Sequence, residues 1–549
     1  SARVWDGKGD GKLIVDIGAI EYGATADTSG TAYSANATDS IYLSGTATLS
    51  GQTDHSGISI TVTSFVGDTV AVMQTNSAGA YGDSIASGIY SINYSAIAPD
   101  SFCVTNSTET DVLCTSDKVL DKTLLYGIGG DYTGVLSGSI IVACDLVVPA
   151  GDSLELSAGT ALQFASGSQL IVNGKLKIQG SVTDSVILSA YSSSWDGVQL
   201  NSSSMLYGEY MHITGLSSGS TALYLLKTLT SPSPVMELSN SLLSGEGIAD
   251  YGLKVNSNGA STNPDILLEN VIVEGFEQAG TYIFWLEDDE ARMNYVHRGG
   301  IVRNCGGIFI PDSHSAFDTD LYNLTYEDVV FENNTGVAND YEGLLVVTST
   351  GDVAIKSCVF RNNTPYSSDE VLDIDESVSF SNCVFETGTS INDEEASSYV
   401  NCVFESGVAI EEDGSSYINC SFDASSSVSS STYSSQESKF YNCILPETVS
   451  GTRKYYNCSS NGRAYDNSDQ PHLGTLVGVN ANGDSVDSYG NITDSALYIN
   501  TAGGDYSLES TSKCIDAGLN VYVANIAFDI LDSARVWDGK GDGKLIVDI

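Results

Sequence analysis

The chain is short of positive charge. Its 549 residues carry 22 Lys and Arg against 70 Asp and Glu, a formal charge of -48. That balance argues against a nucleic-acid or anionic-membrane partner and favours a saline or cation-rich setting, with a cationic partner left open. Histidine is equally sparse: His55, His212, His297, His314 and His472 are scattered and form no ligand-spaced pair. No apolar run approaches the length of a membrane span. Neither Met nor a leader stands at Ser1, which suggests a processed chain or one cut from a longer protein. The 11 cysteines are odd in number, so at least one thiol is unpaired or bonds between chains. What is abundant is Gly (55), Ser and Thr among short strand-like segments, and 42% of residues are hydrophobic. This is the composition of an ordered, all-β secreted protein with a large core, so an extracellular or cell-surface location is expected.

One phrase recurs between Phe380 and Ser460: Phe380-Ser-Asn382-Cys383, Tyr399-Val-Asn401-Cys402, Tyr417-Ile-Asn419-Cys420, Phe440-Tyr-Asn442-Cys443 and Tyr455-Tyr-Asn457-Cys458. Successive cysteines are 19, 18, 23 and 15 residues apart, one turn of a β-coil but too irregular for helical or leucine-rich repeats. In a flat strand, an aromatic and a cysteine three apart face opposite sides, so both face inward only if the chain turns a corner between them. The second corner residue is always Asn, which tolerates a left-handed backbone and whose amide reaches the Asn of the next rung. Stacked rungs then give an aromatic, an Asn and a cysteine column at about 4.8 Å per step, the arrangement of a parallel β-helix. Weaker copies at Lys356-Ser357-Cys358, Asp328-Val-Val-Phe331, Asn304-Cys305, Asn270-Val-Ile-Val273 and Asn240-Ser-Leu-Leu243 extend it backward. The columnar cysteines read as reduced core residues, because stacked neighbours have parallel side-chain vectors that suit a disulfide poorly. Cys103 and Cys114 bracket a polar loop outside the pattern, and a loop-closing disulfide between them is expected.

Ser1 to Ile17, SARVWDGKGDGKLIVDI, is identical to Ser533 to Ile549, an offset of 532. The sequence therefore reads as slightly more than one period of a longer polymer, with the unit boundary near Ala24. Exchange of this strand between neighbouring subunits is the alternative. Residues 1–24 are expected to cap the preceding unit and 25–40 to form a linker. Residues 41–97 are expected as a β-sandwich, 98–131 as a disulfide-closed connecting loop, and 132–549 as the β-helix, with on the order of 15 rungs and a length of about 70 to 80 Å.

Cys514-Ile-Asp-Ala-Gly518, Arg535 and the Val15 to Tyr22 phrase VDIGAIEY resemble the carboxyl end of pectate-lyase-like, right-handed parallel β-helix proteins, particularly surface proteins with a choice-of-anchor domain. Leu146 to Gly174 resembles the first rungs of that family. Thr75 to Tyr81 and Gly88 to Asn93 are similar to the carboxypeptidase-regulatory-like or transthyretin-like sandwich, in which they mark a hairpin and two core tyrosines. The resemblance implies an all-β chain, an Ig/transthyretin-like sandwich followed by a right-handed parallel β-helix. It says little about activity, since such coils occur in lyases, hydrolases, adhesins and filaments.

Candidate chemistry is thin. Glu287-Asp-Asp-Glu290 near His297 and Arg298 is the nearest approach to an acid and base pair, with a solvated loop as the other reading. An acidic stripe precedes the aromatic column: Asp373, Asp375 and Glu376; Asp393, Glu394 and Glu395; Glu411, Glu412 and Asp413; then Glu437. Like charges about 4.8 Å apart repel by roughly 1 kcal/mol in water, so the stripe either splays into solvent or gathers cations, with Asp393, Glu394, Glu411 and Glu412 as candidate Ca²⁺ ligands. The Asp6 to Gly11 loop reads as a tight turn, since Lys8 occupies a calcium-ligand position. Among the Asn-X-Ser/Thr sequons, Asn36, Asn106, Asn323 and Asn491 are the candidates for exposed glycosylation, whereas Asn419 and Asn457 belong to the shielded corner column. The functional expectation is a non-catalytic structural repeat unit of an extracellular fibre or giant tandem-repeat adhesin, joined to copies of itself. The alternatives are a polysaccharide lyase or hydrolase of the β-helix type and a glycan-binding adhesin.

Overall fold

A computed structural model describes residues 40–227, 235–258, 265–287, 292–311, 321–336, 343–348, 351–366, 370–430, 436–465 and 470–549. The first copy of the duplicated segment, the expected linker up to residue 39 and Asn36 lie outside these residues. The rest falls into two compact units. The first runs to Tyr132 and takes in Ile140–Leu146 and Gln163–Ser168; the second comprises Thr133–Ser139, Val147–Leu162 and Gln169–Ile549. Among the described residues the only helical elements are two short 3-10 turns.

The first unit is a sandwich of two sheets. Ser40–Leu49 pairs antiparallel with Ala80–Ala86 and parallel with Lys118–Val119 and Lys122–Leu124. The opposing sheet runs Thr69–Gln74, Ser59–Ser64, Gly88–Ser95, Ser107–Cys114. Alternation along Ser59–Ser64 and Gly88–Ser95 buries Ile60, Val62, Tyr90, Ile92 and Tyr94 between the sheets. Tyr81 and Tyr94 join hydroxyls at 3.0 Å in this core.

Residues 98–131 are therefore not a connecting loop, because three of the sandwich strands come from them. The expected Cys103–Cys114 bridge is likewise replaced: Cys103 bonds Cys144, 41 residues away in sequence. Cys114 lies opposite Gly88 in the strand ladder, which turns its thiol into the sandwich core, fully buried and unpaired. Cys103 sits on Phe102–Val104, opposite Gly127 of Tyr126–Asp131. Gly129 of that strand has to be glycine, since a Cβ there would stand 2.4 Å from the Cys144 sulfur.

The second unit is a right-handed parallel β-helix, the hand that parallel strands joined by crossovers adopt. Three short strands make a typical turn. In one they are Ser379–Ser381, Val384–Phe385 and Ser390–Asp393; in the next they are Ser398–Val400, Val403–Phe404 and Ala409–Glu412. Each pairs in parallel with its equivalent one turn on, Phe380 with Tyr399, Phe385 with Phe404 and Asp393 with Glu412. The result is three sheets, here termed aromatic, cysteine and acidic in the order in which the chain visits them.

Like stacks on like inside the coil. Ring centroids of Phe380, Tyr399, Tyr417 and Phe440 are 4.8, 4.9 and 4.6 Å apart in near-parallel stacks, and Tyr455 follows at 5.4 Å. A second ladder rises beside it through Phe331, Phe360, Phe385, Phe404 and Phe422. The two meet edge to face, as at Phe380 and Phe385. Burying each ring contributes about 1.5 to 3 kcal/mol, so the repeated interior rather than any single contact stabilises the coil.

Between the ladders the chain turns at Asn382, Asn401, Asn419, Asn442 and Asn457, all with φ between 50 and 54°. The weaker copies corner in the same way at Asn240, Asn270, Asn304, Asp328 and Ser357. Asn401 Nδ2 donates to Asn382 Oδ1 at 3.0 Å, and Asn442 Nδ2 to Asn419 Oδ1 at 3.3 Å. Cys383, Cys402, Cys420, Cys443 and Cys458 are buried and unpaired. Cys420 and Cys443 donate to the carbonyls of Tyr399 and Tyr417.

The sheets do not continue to residue 549. The last full strand of the aromatic sheet is Arg453–Tyr456, and residues 470–549 carry two short antiparallel strand pairs and a few isolated bridges. This closing segment runs back over the corner column. Asn401, Asn419 and Asn442 donate to the carbonyls of Phe528, Asp548 and Leu519 at 3.0, 3.0 and 3.2 Å.

Replacing Asn401 separates the two duties of the corner. Asn401→Gly keeps the left-handed turn and loses two side-chain bonds; Asn401→Ala loses both, at an added cost of about 1 to 2 kcal/mol. The thermal midpoint is expected to fall for N401G and further for N401A; equal midpoints would show that backbone strain is not what selects Asn. A second expectation concerns the thiols. Alkylation of the native chain should label none of the nine buried free cysteines, and alkylation after unfolding without reductant should label all nine.

Candidate functional site

Strand alternation divides the expected acidic stripe. Ile391 and Ile410 face inward, so the residues two further on, Asp393 and Glu412, face inward as well. Glu394 and Glu411 are exposed on the outside. The four candidate Ca²⁺ ligands therefore do not share one site. Among the described residues no group of three or more His, Cys, Asp or Glu side chains is placed to hold a metal ion. Asp373 is covered too, accepting from Asn392 Nδ2 at 3.2 Å, so the stripe is not wholly a solvated face.

The inward pair forms an enclosed polar network. Asp393 accepts from Ser397 Oγ at 2.9 Å, Ser415 Oγ at 2.6 Å and Tyr399 Oη at 3.1 Å. Glu412 accepts from the Ser415 amide at 2.9 Å and from Ser438 Oγ at 2.6 Å, and it pairs with Arg453 at 2.6 Å. Arg453 and Glu412 are both fully enclosed. Burial holds the Asp393 carboxyl up at about 7 against the pull of its hydroxyl donors, and the Glu412 charge adds to the rise. Burial also raises Glu412, opposed by the Arg453 charge. The network is a sealed, hydrogen-bonded ion pair beside a proton-holding acid, with no opening to a substrate.

Glu287 to Glu290 lie largely outside the described residues, but their two presumed partners are separated. His297 points into the coil, wholly buried, with Nε2 3.2 Å from the Val271 carbonyl. Desolvation pulls its pKa down to about 4. Arg298, one residue on, points outward and pairs with Glu327 at 3.0 Å. Other cations are taken up in the same fashion: Arg303 bridges Glu274 at 2.7 Å and Glu332 at 3.7 Å, and Arg361 pairs with Glu332 at 2.5 Å.

Of the sequon candidates, Asn106 is exposed. Asn323 is half-buried, its amide donating to Asn294 Oδ1 at 2.8 Å in a stack that continues to Asp265. Asn491 is corrected outright: it is fully buried, and its amide donates to the Tyr455 carbonyl at 3.0 Å and Asp487 at 3.1 Å. It closes the end of the aromatic column, a role that sequon spacing does not reveal.

A groove of about 520 Å³ lies between the corner column at Asn382, Asn401 and Asn419 and the returning closing segment at Tyr506, Leu531 and Arg535. The sequence reading did not anticipate it, because nothing in the motif spacing shows that the closing segment folds back. Burial lowers the Arg535 pKa, and Asp548 and Asp529 counter it. On the outer face of the aromatic sheet a shallower depression of about 260 Å³ is lined by Lys177, Tyr207, Glu209, Glu237 and Glu269.

No family model matches this chain, and no curated protein matches it. Three solved structures show faint likeness. The Bacillus anthracis TIE protein is 12% identical at a TM-score of 0.15, over 18% of this chain and 19% of that one. An alginate lyase from Paenibacillus sp. str. FPU-7 is 12% identical at 0.18, over 57% of this chain and 98% of that one. The pectate lyase Pel9A is 13% identical at 0.19, over 68% and 84%. The chain thus spans about a fifth of the first. At such TM-scores these likenesses carry no weight beside the strand ladder itself.

The buried groups set opposite pH dependences. Between pH 4 and 7 the folded chain keeps a proton on Asp393 that the unfolded chain has released, so this group's contribution to stability falls as pH rises through that window, by on the order of 4 kcal/mol. His297 works the other way, its contribution being lost as pH falls from 6.5 toward 4. Asp393→Asn should gain stability over the parent chain at pH 8 and little or none at pH 4.5, read as the difference in thermal midpoints. A pH-independent difference would place the ionisation elsewhere.

Proposed function

We propose that the chain is a non-catalytic structural unit of an extracellular fibre or tandem-repeat surface adhesin. One observation carries this reading: the 17-residue segment Ser1 to Ile17 recurs without change at Ser533 to Ile549. Independent selection of the same 17 residues twice in one chain has no motif-level reason, whereas a repeated unit requires it. The self-stacking interior supplies stiffness, and the charge of -48 keeps neighbouring fibres apart in solution. The Cys103–Cys144 bridge suits an oxidising compartment. The resemblance of the Cys514 to Gly518 phrase to the choice-of-anchor surface proteins supports this reading, in which the sandwich would serve as a spacer of the carboxypeptidase-regulatory-like kind.

A second reading, glycan binding or lyase action, is favoured by the outward column of Glu155, Lys177, Tyr207 and Glu237, in which a cation and an aromatic ring sit among carboxylates on one sheet face. Any Ca²⁺ dependence would enter here.

Denaturing gel electrophoresis of native material, with and without reductant, separates the forms of assembly. Mapping peptides across residues 17 to 25 completes the test. Covalent species several units long, containing the uninterrupted junction into the sandwich, are expected for a tandem-repeat chain. Collapse to single units of 57.7 kDa would mean that separate chains associate. Alginate and polygalacturonate, with and without Ca²⁺, are expected to give no unsaturated product absorbance; turnover abolished by Lys177→Ala would overturn the non-catalytic reading.

A further inference from the structure

The second copy of the duplicated segment is seated in a cradle on its own coil. Asp516, buried and held at φ 55°, accepts the amides of Gly539 and Lys540 at 3.0 and 2.8 Å. Its own amide donates to Asp548 Oδ1 at 2.7 Å. Asn520 donates to the Leu545 carbonyl and accepts the Val547 amide, both at 2.9 Å. Gly518 N donates to the Val547 carbonyl, the Ile549 amide to the Cys514 carbonyl, and Asn419 to the Asp548 carbonyl. Val547 is wholly buried, and Ile549 joins the core cluster of Ile444, Ile492, Ala496 and Cys514. The conspicuous Cys514 to Gly518 phrase is thus the grip on this segment.

The segment also carries its own shape. Asp538 accepts the amides of Asp542 and Gly543 at 2.9 and 2.8 Å, closing the turn, and Trp537 bridges Ile546 across it. Most bonds to the cradle run through the segment's backbone, and the turn is internal, so any chain of this sequence presents the same groups in the same order. Ser1 to Ile17 is such a chain.

We infer that Ser1 to Ile17 is a ligand for the Asp516 cradle of a second copy, so that this segment of one chain and the cradle of another form a head-to-tail joint. This rests on the reading of the chain as a unit of an assembly and names the contact by which units meet. The contact is heterologous, with donor and acceptor at different places on the molecule, and such contacts generate open filaments. In a single chain Ser533 to Ile549 holds the seat, because a tethered segment competes at the millimolar effective concentrations typical of short linkers. Between chains the contest is even in contacts and is decided by tethering and concentration alone.

Full-length chains with a substitution confined to one copy test this. Gly539 has no room for a side chain, since a Cβ would stand 2.5 Å from Ile515 Cγ2. Gly539→Ala therefore weakens the resident copy and leaves its counterpart Gly7 intact (7 plus 532 is 539). Val547→Asp does the same through the buried side chain, with Val15 intact, and serves if the first variant loses its strand signal in circular dichroism. Light scattering after size exclusion is expected to show either variant forming oligomers whose mass grows with concentration. Gly7→Ala with Gly539→Ala should remain at 57.7 kDa, and the synthetic peptide SARVWDGKGDGKLIVDI should dissolve the G539A oligomers to single units. Folded G539A and V547D chains that stay monomeric and take up no peptide would overturn the inference, as would a double variant that assembles as readily as G539A. Native material that runs as single units on a denaturing gel would overturn the covalent tandem-repeat form alone and leaves the peptide result independent.

Discussion

Parallel stacking makes every residue its own neighbour. In a coil whose strands pair one turn apart, each side chain must tolerate a copy of itself about 4.8 Å above and below. Aromatic rings satisfy this by stacking, amides by linking oxygen to nitrogen, and thiols by donating to the carbonyl of the preceding rung. Carboxylates do not satisfy it. Where Asp393 stacks on Glu412 inside the acidic sheet, the coil answers with serines, a tyrosine hydroxyl and the enclosed Arg453, and burial raises the pKa of Asp393. The composition follows from the same constraint: residue types that stack on themselves fill the interior, and those that repel face water or meet an opposite charge.

That rule also decides what was legible in the sequence. The corner phrase could be read directly, since an aromatic, an Asn and a Cys at fixed spacing admit few backbone paths, and the positive φ at Asn382, Asn401, Asn419, Asn442 and Asn457 is what that reading requires. The direction of the acids was legible too, from Ile391 and Ile410 two residues before Asp393 and Glu412, but a run of like charges suggests solvent more loudly than alternation suggests burial. Cys103 was paired with the wrong cysteine because Cys114 lies in a strand whose apolar face is hidden by a polar composition. Its partner comes from a strand that sequence proximity does not link to it. Asn491 carries a sequon and serves as an internal plug; only the fold-back of the closing segment tells the two apart.

The closing segment meets the same pairing requirement as the ladders. It supplies carbonyls to the outward amides of three corner residues, Asn401, Asn419 and Asn442, which would otherwise meet water. A column that is self-complementary along its axis is thereby made complementary to an irregular strand running across it. The groove beside Arg535 is the remainder of that fit, the part of the corner surface that the segment crosses without filling.

The buried thiols bear on how such a chain would fold under oxidising conditions. Eleven cysteines and a single disulfide mean that the unfolded chain, under oxidising conditions, has many wrong pairings for one right one. Each completed rung withdraws one sulfur from that chemistry, so the coil itself acts as the proofreader. Under such conditions winding would have to outrun oxidation, and the tempo of rung closure rather than the strength of any bond would set the yield of sound molecules.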